Sequence, residues 1–149
     1  MINRLRVRAQ SESGFTLVEL LVVMLILGLL AAIAIPAFFN QRTKAQDSEA
    51  KSTAKTAQTA LETYATDNNG RYTGATQARL KTIEPTLSSA TTGANAITVL
   101  TVADSAYTIT VTSASNNTFS IVRATDGSLT YPCTPAGGGG GCPGSAGWG

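Results

Sequence analysis

The chain has 149 residues, eleven Lys or Arg against nine Asp or Glu, two cysteines and no histidine. This is one domain's worth of chain, and the charge excess lies at its front. Arg4, Arg6 and Arg8 stand against Glu12 in the first fourteen residues, and the remaining eight basic and eight acidic residues balance. A chain that is neutral beyond residue 14 carries no basic nucleic-acid footprint, and without histidine the usual general base is missing.

Behind the basic stretch, only Thr16 and Glu19 interrupt the apolar run from Phe15 to Phe39. At about 1.5 Å of rise per residue, Leu20 to Phe39 makes a helix of roughly 30 Å, the thickness of a bilayer's hydrocarbon core. The segment is predicted to span a membrane. By the positive-inside rule the three arginines keep the N-terminus cytoplasmic and send everything after Phe39 across, although Arg42 and Lys44 on the far side oppose this. Glu19 stands out, because an ionised group at mid-helix in hydrocarbon costs roughly 2.5 to 3.5 kcal/mol. Either it snorkels to the headgroups or it has a function.

The heptapeptide Gly14-Phe15-Thr16-Leu17-Val18-Glu19-Leu20, with the basic stretch before it and Gly28 and Pro36 behind it, resembles the class III signal of type IV pilins and related pseudopilins. The resemblance is close from Gly14 to about Gln46 and general beyond. It implies a leader, residues 1–14, removed by a prepilin peptidase between Gly14 and Phe15. It also implies N-methylation of Phe15 and a pairing of Glu19, fifth in the mature chain, with the terminal amine of a neighbouring subunit. In physical terms, an amine and a carboxylate about 4 Å apart attract by roughly 4 kcal/mol at an effective dielectric of 20. Glu19 also lies about 6 Å along the axis from its own Phe15, so pairing within one subunit competes. Gly28 weakens a helix by about 1 kcal/mol, and Pro36 removes the bond to the Ala32 carbonyl. Both a gentle membrane kink and a segment that loses helix during filament packing fit these two residues. An ordinary secretory signal ending at Ala32-Ile33-Ala34 is the rival reading. The length of the apolar run, Glu19 within it and Pro36 just after the cut count against it.

Beyond the span, residues 40–69 are predicted to continue the helix into water as an amphipathic half. Ala50, Ala54, Ala57, Leu61 and Tyr64 recur at helical spacing on one face, with Lys51, Lys55 and Glu62 expected outward and Gly70 as the C-terminal cap. Tyr72 to Gly93 reads as a variable loop with one helical turn near Gln77 to Lys81. Strands follow at Ile97–Val102, Tyr107–Thr112, Thr118–Arg123 and Leu129–Tyr131, joined by short turns in an antiparallel meander. Tyr107, Ile109, Val111, Phe119 and Ile121 are expected to face the helix. The fold class is therefore α+β, a long N-terminal helix packed on a small antiparallel sheet, the pilin fold. Its parts are 15–39 in the membrane or filament core, 40–69 amphipathic, 70–132 globular and 133–149 a Gly-rich C-terminal region.

In that last region Cys133 and Cys142 flank five glycines, Gly137 to Gly141. Zinc would lack two ligands, so a disulfide is the better reading, and the resemblance supports it because many pilins staple this region. The glycine run departs from the family pattern and is open between a flexible link in a disordered tail and a defined role. Asn116-Asn117-Thr118 matches a glycosylation sequon, a weak signal. No catalytic constellation, metal site or cofactor cradle is found, so the protein is expected not to be an enzyme.

The resemblance implies a structural subunit of a type IV pilus, made as a prepilin in the cytoplasmic membrane and assembled through its helix into an extracellular filament of its own copies. Its partners would be those copies, the prepilin peptidase and the assembly machinery in the membrane. The alternatives are a type II secretion pseudopilin and a DNA-uptake pilin. Major pseudopilins often replace the disulfide with bound calcium, and the scattered Glu84, Asp104 and Asp126 do not suggest such a site. DNA binding would rest on a local patch such as Arg71, Arg79 and Lys81.

Overall fold

A computed structural model describes residues 14–88, 90–137, 140–145 and 147–149. It divides into two units, Met1–Ala37 and Phe38–Gly149. Most of the leader expected at residues 1–14 therefore lies outside the described residues. The first helix, α1 (Leu17–Asp67), has 51 residues and belongs to both units.

In the first unit the helix begins at a reciprocal cap. The Glu19 N–H donates to Thr16 Oγ1 at 3.2 Å, while the Thr16 N–H and hydroxyl both donate to Glu19 Oε2 at 2.9 Å. Thr16-Leu17-Val18-Glu19 is thus a capping box, satisfying donors that a helix start leaves open. Gly28 and Pro36 both lie inside the continuous helix. A Cβ on Gly28 would meet nothing within 4 Å, so no contact within this chain demands a glycine there. Phe15, Leu17, Met24, Leu30 and Ile33 are all well over half exposed. The helix is long and apolar enough to cross a membrane.

In the second unit the expected stripe of α1 is buried: Ala50, Ala54, Ala57 and Leu61 show no exposed surface and Tyr64 shows 6 %. Alanines let the helix approach a sheet closely, and the threonines on its other faces return their hydroxyls to the carbonyl four residues back, as Thr59 does to Lys55. The helix ends where Asn69 and Gly70 take positive φ values of 57° and 78° and the Gly70 N–H reaches the Ala65 carbonyl at 2.8 Å. The left-handed end expected at Gly70 therefore starts one residue earlier, at an asparagine, the other residue that tolerates it.

A short α2 (Gln77–Ile83) is capped by the Thr76 hydroxyl and anchored by Leu80, which is fully buried. The strands are β1 (Ala96–Val102), β2 (Tyr107–Thr112), β3 (Thr118–Arg123), β4 (Leu129–Thr130) and β5 (Cys133–Thr134). All pairings are antiparallel in the order β1-β2-β3-β4, the expected meander, and β5 adds to β3 alongside Thr118 and Phe119. Ile109 pairs with Ile121 and Val111 with Phe119, which puts four large apolar side chains on the face toward the helix. Burying each contributes about 1.5–3 kcal/mol. A register shift between Ile97 and Val99 interrupts the alternation of β1, so that Ala96 and Ile97 are both buried.

Since Ala54 has no free surface, Ala54→Leu is expected to destabilise the second unit by about 1–3 kcal/mol through overpacking. Urea unfolding of the full chain in detergent, followed by circular dichroism, measures this.

Candidate functional site

Three groups of side chains carry the polar chemistry of the described residues. The first is the N-terminal end of α1. Gly14 has open space around the position of a Cβ, and Phe15 is 87 % exposed, so the Gly14–Phe15 peptide bond stands clear of other described residues. Both bonds that Glu19 accepts from Thr16 fall on Oε2. The capping box was legible in the sequence as Thr-x-x-Glu before an apolar run.

The second group centres on Asp47, which has no exposed surface. Asn117 Nδ2 and the Gly141 N–H donate to its Oδ2 at 2.9 and 2.7 Å, and the Ser115 hydroxyl donates to Oδ1. Burial by itself raises the Asp47 pKa. The bonds from Gly141, Ser115, Asn117 and Ser113 outweigh it and hold the carboxyl below its ordinary value. One turn further on, Lys51 Nζ donates to the Gly141 carbonyl at 2.6 Å, so both backbone groups of Gly141 are bound by the helix. Lys51 also lies over the rings of Phe119 and Trp148, at 5.1 and 5.8 Å from their centroids, and Lys55 lies 4.0 Å from that of Tyr131. The expectation that Lys51 faces outward is therefore corrected, because its long stem carries the ammonium group back over the C-terminal aromatics, while Lys55 is exposed as expected and lies along the Tyr131 ring.

The glycine run has a defined role where it is described. A Cβ on Gly140 would collide with the Asp47 carboxylate and Thr43, and one on Gly141 would come within 2.9 Å of Asp47 Cβ. Next to them Cys142 forms a disulfide with Cys133 on β5, and both cysteines are buried. The alternative that Gly137 to Gly141 are a flexible link in a disordered tail does not hold for Gly140 and Gly141, nor for Trp148 beyond them. Its indole N–H donates to the Ser120 and Pro132 carbonyls, and its ring packs edge-on against Phe119 and Tyr131. Gly138 and Gly139 lie outside the described residues.

The third group is built on Glu62, which was also expected to point outward. It accepts from the hydroxyls of Tyr72 and Tyr107 at 2.7 and 2.9 Å, and Arg123 lies 3.7 Å away. Burial, then the bond to Glu62, pushes the Tyr72 pKa up to about 12, and the same two causes raise that of Tyr107. Of the residues suggested for a DNA patch, Arg71 pairs with Asp104 at 3.7 Å and Arg79 lies over the Tyr64 ring. Among the described residues no group of three His, Cys, Asp or Glu could hold a metal ion.

The sign of the Asp47 effect is set by its lowered folded-state pKa. Its stabilisation is complete above the unfolded value of about 3.9 and is lost as pH falls through the folded one. Urea unfolding at pH 7, 5 and 3 is expected to show a fall on acidification that is shallower in Asp47→Asn. That variant should also be weaker at pH 7 by about 1–3 kcal/mol.

Residues 10–35 match the model of the prokaryotic N-terminal methylation motif. The type II secretion system core protein G of Aeromonas hydrophila is 43 % identical over 61 residues, 41 % of this chain and 42 % of that protein. The type IV major pilin protein PilA of Myxococcus xanthus is 44 % identical over 59 residues, 40 % of this chain and 26 % of that protein. The type IV major fimbrial protein FimA of Dichelobacter nodosus is 45 % identical over 56 residues, 38 % of this chain and 36 % of that protein. The chain thus spans less than half the length of these curated relatives. No solved structure matches it. At its N-terminal end, through the methylation motif and the apolar helix that contains it, the chain is similar to type IV pilins, fimbrial proteins and type II secretion core protein G.

Proposed function

We propose that this chain is the precursor of a type IV pilus subunit. It is held in the cytoplasmic membrane by the first part of α1, with its N-terminus inside. A prepilin peptidase cuts it between Gly14 and Phe15, and Phe15 is then N-methylated. The membrane assembly machinery packs it through the same helix into an extracellular filament. The role is structural and uses no catalysis or cofactor. The observation that carries this reading is the methylation motif at residues 10–35, set on the first part of α1, where the large apolar side chains from Leu17 to Phe39 are exposed among the described residues.

The chemistry of assembly follows from charge. Cleavage creates an ammonium on Phe15 at the positive end of the α1 dipole, an unfavourable place for a cation. Drawing it into a dry bundle adds desolvation, so a carboxylate partner is needed. Glu19 supplies one. Its Oε2 is engaged by Thr16, and its Oε1 is the oxygen that would receive the amine of the neighbouring subunit. Gly28 and Pro36 are the places where the helix yields most readily as subunits pack.

A pseudopilin of a type II secretion system is the second reading, favoured by the likeness to core protein G. The Cys133–Cys142 disulfide tilts the choice toward the pilus. Deletion of a pseudopilin would stop secretion of exported proteins and leave surface filaments intact, whereas deletion of this chain is expected to remove filaments.

Mass spectrometry of protein sheared from the cell surface is expected to find an N-terminal peptide that begins at methylated Phe15. An intact Met1, or a start at Ile35, would overturn the proposal. Glu19→Gln separates the two roles of that residue, because glutamine also serves at the third position of a capping box. Membrane insertion and cleavage should persist in this variant while filaments visible by electron microscopy are lost.

A further inference from the structure

The C-terminal segment is fastened at points of two kinds. One is covalent, the Cys133–Cys142 bond. The other is polar: Asp47 and Lys51, one helical turn apart, bind the N–H and the carbonyl of Gly141, the residue next to Cys142. Glycine-rich chain loses much conformational freedom on docking, roughly 1–2 kcal/mol per ordered residue, and both fastenings act against that cost.

We propose that residues 140–145, with Trp148 behind them, form a redox-dependent clasp, in which the Cys133–Cys142 disulfide and the Asp47–Gly141–Lys51 contact each strengthen the other. With the disulfide formed, Gly141 is held where Asp47 and Lys51 meet it, and Trp148 lies against Phe119 and Tyr131. With the two thiols free, the segment leaves the helix and uncovers Lys51 and the Phe119 ring. Oxidation proceeds by thiol–disulfide exchange with a disulfide donor. One cysteine thiolate attacks the donor's S–S bond and releases a donor thiol. The other then attacks the mixed disulfide, forming the Cys133–Cys142 bond and releasing the second donor thiol, with the two cysteine protons passing to the donor sulfurs. The final packing of the fold is thereby tied to an oxidising compartment. This inference stands whether the filament is a pilus or a pseudopilus.

Mutual strengthening is reciprocal, so removing the helix contact must make the disulfide easier to reduce. The test equilibrates the full chain in detergent at pH 7 with mixtures of reduced and oxidised dithiothreitol and counts free thiols by mass spectrometry after alkylation. Trp148, the only tryptophan, reports docking by acrylamide quenching. Asp47→Ala is expected to shift the equilibrium toward the dithiol about tenfold, equal to ~30 mV for a two-electron couple. Gly141→Ala leaves the carboxylate with Ser115 and Asn117, and it should shift the equilibrium the same way even if Asp47→Ala fails to fold. Reduction of the natural chain should raise quenching at least twofold with the circular dichroism retained. Equal reducibility of the natural chain and both variants would overturn the proposal. So would unchanged quenching on reduction, or collapse of the circular dichroism, which would make the disulfide a support of the whole unit.

Discussion

A carboxylate without exposed surface has to be answered by donors, and the second unit is built around that requirement at Asp47. The answering groups come from the turn between β2 and β3, through Ser115 and Asn117, and from the far C-terminus, through Gly141. One side chain on the helix therefore ties together three places distant in sequence. The glycines follow from it, because Gly140 and Gly141 approach the carboxylate more closely than any Cβ allows. Lys51 and Lys55 complete the surface by covering Phe119, Trp148 and Tyr131.

At the other end of the helix, the same kind of residue does two things at once. Glu19 closes the capping box with Thr16, which starts the helix, and it is the sole acidic side chain in the apolar stretch from Phe15 to Phe39. A single carboxylate with two oxygens can stabilise its own helix start and still receive a cation from outside. The large apolar side chains behind it stay exposed among the described residues, which suits a segment long and apolar enough to cross a membrane.

The parts legible in the sequence share one property: they are written in periodicity or in a short motif. The buried stripe from Ala50 to Tyr64 and the alternation of Tyr107, Ile109 and Val111 both hold in the structure. The signs that were passed over are of the same type. Asp47 lies three residues before Ala50, in phase with the stripe, and Thr16 lies three before Glu19. The register shift in β1 and the strand at Cys133–Thr134 left no such trace, since both arise from fitting one strand against another.

By itself the sequence determined the apolar helix, the motif at its head, the order of the strands and the pairing of the only two cysteines. Each rests on local spacing or on a count that leaves one partner. Only the tertiary structure decided that Lys51 reaches back to Gly141, that Glu62 takes the hydroxyls of Tyr72 and Tyr107, that Asp47 is buried, and that Gly140 and Gly141 are packed against it. These outcomes depend on which donors and rings lie across from a side chain tens of residues away, and no spacing along the chain records that distance.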